Sequence, residues 1–265
     1  MSVQTVNKAA LPEKYASIVH TDVQKDQSMR TGMQALTFNQ GYMFIGDTNI
    51  GQGPFFAYIL AACRVNAWYD QPYNPQVQAI PACYSFFEDD SHEALATPHP
   101  SAKSPQCASC AQCQKNAWGS TLVPGRKGKA CQNSWRAILL PAGTYDGNNQ
   151  YQLFNAEGLA AQTMMPVRFP VTSSKNFSSY IKTCALRDGR PKYFYVTGIS
   201  TAPHVTNQFE VKFEQVHLPT DEAMLDMLLN LKTAAETQLV QPFQEPNTQA
   251  APIQQQAVAP QVKRY

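Results

Sequence analysis

The chain reads as mainly β, a small barrel of about five or six strands with a Cys-rich insertion and a C-terminal helix. Three observations predict this. Short apolar runs bounded by turn residues recur along the chain, Gln208–Val216 alternates with period two, and the strongest helical stripe comes only after Thr220.

Residues 1–37 are mixed and polar, with no clear period. Tyr42-Met43-Phe44-Ile45 is a short apolar run closed by Gly46-Asp47, a turn signal. Phe55–Tyr69 is long, apolar and aromatic-rich and reads as a buried strand, although periodicity alone does not separate it from a buried helix. Residues 84–106 break the pattern with Glu88-Asp89-Asp90 and then Pro98, Pro100 and Pro105. Trp135–Leu140 is a strand stopped by Pro141, and Tyr151–Phe154 and Met165–Val171 are short strands around turns. Asn176–Ala185 reads as a helix, and Lys192–Ile199 and Gln208–Val216 as strands. In the last, Phe209, Val211 and Phe213 share one face. Thr220 suits an N-cap, Asp221 and Glu222 suit the positive end of the dipole, and Met224, Leu225, Leu228, Leu229 and Leu231 form the apolar stripe. Residues 241–265 are Gln- and Pro-rich and too poor in large apolar residues to offset ordering entropy, so they read as a disordered tail. The organisation expected is one domain over 1–240, a Cys-rich insertion at about 83–136, and the tail.

The bulk numbers narrow the function classes. With 265 residues and 43% hydrophobic content the chain can bury a core, and its net charge of +2 forces neither a nucleic-acid nor a membrane reading. No apolar run approaches the roughly eighteen residues of a membrane span, and the N-terminus lacks a secretory pattern. A reducing cytosol follows, where the seven cysteines are ligands or buried thiols rather than disulfides.

Cys107, Cys110 and Cys113 are separated by two residues each, and Cys131 follows eighteen positions after Cys113. A Cys-x-x-Cys pair puts two sulfurs on one side of a tight turn, within reach of one ion at about 2.3 Å. Cys131 supplies another ligand and Cys83 is the natural fourth, so five cysteines compete for four positions. Structural zinc is the leading reading. An iron–sulfur cluster lacks its Cys-Pro, and a redox site lacks a βαβ context, although unligated thiols stay open. His92 and His99, in a polar Pro-rich loop, read as solvated rather than ligating, while Cys63 and Cys184 read as core.

Charge is concentrated in the same segment. Lys103, Lys115, Arg126, Lys127, Lys129 and Arg136 fall in an interval without Asp or Glu, with Trp118 and Trp135 among them. Cations that follow phosphates, interleaved with aromatic faces for stacking, suit single-stranded nucleic acid. The plainer alternative is a solvated turn at Gly125–Lys129 and two core tryptophans. Gly125–Lys129 is not a Walker loop, because Ala130 stands where Ser or Thr would hold magnesium. Glu88, Asp89, Asp90, His92 and Glu93 read as a solvated acidic loop before a nuclease site, and no Gly-x-Ser-x-Gly or His-Glu-x-x-His element occurs.

Here the chain resembles a family of bacteriophage single-stranded DNA-binding proteins. Cys110 and Cys113 match its Cys-x-x-Cys pair, and Asn116, Trp118, Gly119 and Ser120 its Asn-x-Trp-Gly-Ser element. Gly125, Lys127, Gly128, Lys129, Ala130 and Cys131 match its second half with Arg126 as an extra cation, and Arg136 with Ile138-Leu139-Leu140 matches its basic-apolar strand. Pro81, Cys83 and Ser85 match upstream; Pro166 to Ser174, Phe177 and Tyr180 match loosely downstream.

The resemblance implies an OB-like barrel and structural Zn2+ on Cys83, Cys110, Cys113 and Cys131, with Cys107 as the extra thiol. It also implies single-stranded DNA as the partner, alongside phage replication or recombination proteins, in the bacterial host cytoplasm. Lys115, Arg126, Lys127, Lys129 and Arg136 would meet phosphates and Trp118 would stack on bases. The tail departs from the acidic end common in such proteins, finishing Lys263-Arg264-Tyr265. The competing expectation is a zinc-containing protein-interaction or virion-associated scaffold.

Overall fold

The structure, a computed structural model, describes residues 35–71, 79–121, 127–145 and 150–243. Its contacts divide the chain into two compact units, one of residues 1–63 and 134–239 and one of residues 64–133 and 240–265.

The first unit is mainly β. A meander opens it: β1 (Leu36–Asn39), β2 (Tyr42–Ile45) and β3 (Thr48–Gly51) pair antiparallel. Gln40 and Gly41, at φ 51° and 83°, both occupy the left-handed region, which a two-residue hairpin turn needs to match strand twist. β4 (Phe55–Trp68) is a 14-residue strand, which settles the strand-or-helix ambiguity of that apolar run. After β5 (Cys83–Phe87) come β6 (Gln132–Pro141), the hairpin β7 (Gly143–Tyr145) and β8 (Tyr151–Leu153), α1 (Ala156–Ala160) and β9 (Met165–Phe169). Then follow α2 (Ser174–Asp188), β10 (Val196–His204), β11 (Gln208–His217) and α3 (Glu222–Leu239). The main sheet runs β11-β10-β4-β6-β9-β1-β2-β3, with β5 also on β4 and β7–β8 apart.

This sheet is larger than the five or six strands expected. The meander supplies strands from short, partly polar segments, and β4 is long enough to pair β10 with its first half and β5 with its second. β1 and β9 pair in parallel, whereas the β6–β9 and β10–β11 ladders are antiparallel. Lys192–Phe194, expected within a strand, forms a 3-10 turn before β10.

The core of this unit lies between the sheet and α2. Phe169, Phe177 and Phe213 meet with ring centroids 4.7–5.0 Å apart, in the range aromatic pairs prefer. Trp135 packs at 5.2 Å from Phe177, and its indole N–H donates to Ser178 Oγ at 3.1 Å. Cys63 and Cys184 are buried as expected. No helix among the described residues is long and apolar enough to cross a membrane.

The C-terminal helix is present, but Asp221 rather than Thr220 caps it: Met224 N donates to Asp221 Oδ1 at 2.8 Å. A carboxylate there satisfies an orphan N–H and meets the helix dipole with a full charge. Asp221→Ala should therefore cost about 1 kcal/mol in chemical denaturation, while Thr220→Ala should be close to neutral.

The second unit contains the end of β4 and all of β5, registered from Arg64↔Phe87 to Trp68↔Cys83. Phe243 belongs to this unit although it falls in the segment read as tail. Its ring lies 4.9 Å from Tyr84 and 5.9 Å from Phe86. Residues 244–265, the rest of that expected tail, lie outside the described residues.

Candidate metal centre and nucleic-acid surface

The cysteine-rich loop of the second unit is built from tight turns. Cys110–Gln112 and Gln114–Asn116 are successive 3-10 turns, and Cys113 N donates to Cys110 O at 3.3 Å, so the pair turns back on itself. Cys131 N donates to Lys115 O at 2.8 Å, which draws the later cysteine to the turns. Cys83 arrives on β5 opposite Trp68, and Ser104 N donates to Ala82 O at 2.7 Å, holding the loop against that strand.

These links bring five thiols to one small cavity. Cys83, Cys107, Cys110, Cys113 and Cys131 line it together with Asn66, Trp68 and Asn116, and its volume is about 10 Å³. That is the room needed by one water-sized occupant. Cys83, Cys110, Cys113 and Cys131 are buried, Cys107 is half-exposed, and none is in a disulfide. Neither His92 nor His99 lines the cavity. His92 instead pairs with Asp89 at 2.8 Å, and His99 stacks on Tyr84 at 5.0 Å.

Among the described residues, no group of three or more Cys, His, Asp or Glu side chains meets in metal-holding geometry. Shared lining and ligating geometry are different observations. The charged forms of neighbouring thiols repel one another. Burial pushes the Cys131 thiol up to about 12, with Cys110, Cys113 and Cys83 adding to the rise and Lys129 opposing it. Burial also raises Cys83, helped by Cys110 and Cys113 and opposed by a backbone hydrogen bond from Gln106. Cys107 is pushed to about 12 by burial and by a hydrogen bond with Cys113. A dication reverses this balance, because thiolates are the form that binds it. By its chemistry alone the donor set suits a soft ion: four buried cysteines and a fifth, more exposed one.

Asn116 ties the cavity to the rest of the loop and is itself buried. Its Nδ2 donates to Cys110 O at 3.0 Å and Glu93 Oε1 at 3.3 Å. Its Oδ1 accepts from Lys129 Nζ and from Asn133 Nδ2, each at 3.1 Å. Ser120 Oγ bridges two segments, donating to Lys115 O at 2.8 Å and accepting from Ala130 N at 2.9 Å. The motif-like Asn and Ser thus hold the loop's shape, a role that spacing alone did not reveal.

The expected phosphate contacts separate into different environments. Trp118 is 74% exposed and Lys127 is exposed. Gly119 N and Thr121 N both donate to Gly128 O, at 2.9 and 3.2 Å, so Trp118 and Lys127 flank a paired stretch. Lys115 is half-buried, with its ammonium 5.2 Å from the Trp68 ring centroid. Lys129 is partly spent within the fold, on Asn116 and on Glu93 at 3.9 Å. Arg126 lies outside the described residues. Arg136 is only 9% exposed and belongs to the first unit, where it lies in β6 near Cys63. Its burial leaves little of the side chain for a phosphate. Trp135, the other tryptophan of the cationic interval, is core at 4% exposure.

The interval without acids in sequence does not stay free of them in space, because Glu93 returns to Lys129. The other acidic residues of positions 88–93 each have a partner. Asp90 pairs with Arg64 at 2.7 Å, and Asp89 caps the turn Asp90–Leu95 through Ser91 N at 2.8 Å. Hydrogen bonds from Ser91 and His92 hold the Asp89 carboxyl down at about 2, and Asp89 in turn raises His92.

No family model, curated protein or solved structure matches the chain.

Proposed function

We propose that the protein is a non-enzymatic single-stranded DNA-binding protein of phage replication or recombination, acting in the host cytoplasm. In this reading one structural zinc on Cys83, Cys110, Cys113 and Cys131 fixes the loop, and an OB-like barrel underlies the mainly β first unit. The observation that carries it is Trp118, an exposed indole beside exposed Lys127 on a loop whose base is lined by five thiols. A tryptophan left in water at the tip of a hydrogen-bonded turn is unfavourable unless something flat covers it. A nucleobase does so whatever its identity, and Lys127 supplies a neighbouring charge for phosphate. When bound, the ion supplies rigidity, and the chain's own residues do the binding.

The test is fluorescence anisotropy of labelled single-stranded and duplex oligonucleotides over a salt series. Affinity should favour the single strand and fall steeply with salt. Trp118→Ala should weaken binding about tenfold. Salt-indifferent binding, or equal binding of duplex and single strand, would refute the reading. The scaffold reading is favoured by one observation, the use of Lys129 within the fold, which reduces the free charge for DNA. It expects no DNA shift at physiological salt and a stable protein partner in pull-down.

A further inference from the structure

The first unit carries a row of side chains that the loop does not account for. Trp135, Ala137, Val167, Phe169, Leu36 and Met43 all point into one core, so the residues alternating with them lie on the opposite face of the sheet. Strand register aligns those residues. Arg136 stands opposite Arg168 across β6 and β9. Leu36 is level with Val167 on the parallel neighbour β1, which puts Thr37 beside Arg168. Thr37 pairs with Phe44 on β2, and Phe44 with Asn49 on β3.

The row therefore reads Arg136, Arg168, Thr37, Phe44, Asn49 across five strands, about 19 Å at the usual strand spacing. It contains no acidic residue. Arg136 is buried, Phe44 and Arg168 are half-buried, Thr37 and Asn49 exposed, and exposed Tyr42 precedes Phe44 by two residues on the same face, opposite Asn39. Like charges directly opposite each other destabilise a sheet. Arg168 is nevertheless held in place, donating from Nε to Ser134 Oγ at 2.9 Å. An oriented, partly accessible guanidinium is suited to a phosphate oxygen, and aromatic rings two strands away are suited to the bases on either side of it.

We infer that this face of the first unit is a second binding surface for single-stranded DNA, with Arg168 on a phosphate and Phe44 and Tyr42 under bases. The inference rests on the single-stranded DNA reading but uses none of the loop's residues. The experiment is an oligo(dT) anisotropy series in salt with the full chain, using Arg168→Gln, Arg168→Lys, Phe44→Leu, Tyr42→Ala and Trp118→Ala, each checked for folding by thermal melting. Arg168→Gln should reduce the salt slope by about 0.7, the loss of one single-strand phosphate contact, and Arg168→Lys should preserve the slope. Phe44→Leu or Tyr42→Ala should weaken binding about tenfold with little change in slope. Should Phe44→Leu unfold, Tyr42→Ala still reads the stacking, because that side chain is exposed. Folded Arg168 and Tyr42 variants that bind like wild type, while Trp118→Ala loses affinity, would overturn this surface and leave the loop reading intact. The reverse pattern would support the surface and overturn the loop. No binding by wild type would overturn both. Inorganic polyphosphate competing as well as oligo(dT) would overturn the stacking role.

Discussion

Alanine at Cys83, Cys110, Cys113 or Cys131 is expected to abolish zinc retention and unfold the loop, whereas Cys107→Ala should keep both. Five cysteines line one cavity, and a tetrahedral ion takes four of them. Cys107 is the most exposed of the five, and it matches no position of the motif. The effect should be large because the described part of the loop is held by 3-10 turns and hydrogen bonds, with none of its cysteines in a disulfide. Structural zinc contributes on the order of 10–16 kcal/mol in small zinc-binding peptides, comparable to the whole stability of a typical domain. Elemental analysis of purified protein should give one zinc per chain, and a strong chelator should cause loss of Trp fluorescence structure as well as metal. Retention should fail as pH drops, since protons compete for the sulfurs. Metal-free protein that melts identically with and without chelator would reject the centre. Zinc lost from Cys107→Ala but kept by Cys83→Ala would transfer the fourth position to Cys107.

What could be read from sequence, and what could not, divides along the range of the interactions involved. The long apolar run became β4, the period-two segment became β11 and the late stripe became α3, because each signal is carried within one element. The meander was hidden: Leu36–Asn39 and Thr48–Gly51 alternate over too few residues, and their pairing depends on turn geometry at Gln40 and Gly41. The cysteine spacing pointed to a metal cluster; five cysteines line one cavity, without meeting in metal-holding geometry among the described residues. Two features of the site were not legible. Arg136 followed the cationic run in sequence, yet strand alternation placed it in the sheet of the other unit. Glu93, ten residues before the first lysine of the interval, came back to Lys129 through the fold. Sequence intervals count charges along the chain, whereas a ligand meets them across a surface.

The residue between the proposed metal centre and the exposed indole gives the sharpest test of how the two are joined. Asn116→Ala should destabilise the loop by about 3 kcal/mol, more than any exposed substitution in it. Four side-chain hydrogen bonds converge on this buried amide. Their removal costs the Cys110 carbonyl, the Asn133 amide and the Lys129 ammonium one partner each, leaving them Cys113 N, Asn66 Oδ1 and Glu93. Several hydrogen bonds at about 0.5–1.5 kcal/mol each, more for the charged one, add up to that cost. Asn116→Asp separates geometry from charge. It retains the acceptor for Lys129 but loses the donor to Cys110 O and sets a second carboxylate beside Glu93, so it should not rescue the loop. Denaturant unfolding, followed by Trp68 emission, measures the cost, and zinc competition with a chromophoric chelator measures the coupling to the sulfurs. If Asn116 joins the two, Asn116→Ala should release zinc more readily and weaken oligonucleotide binding, although it removes no group placed on the nucleic acid. Trp118→Ala should do the opposite, weakening binding with zinc retention and stability unchanged. An Asn116→Ala protein within about 0.5 kcal/mol of wild type, the range of an ordinary surface change, would show that Trp118 is presented independently of the cysteine turns.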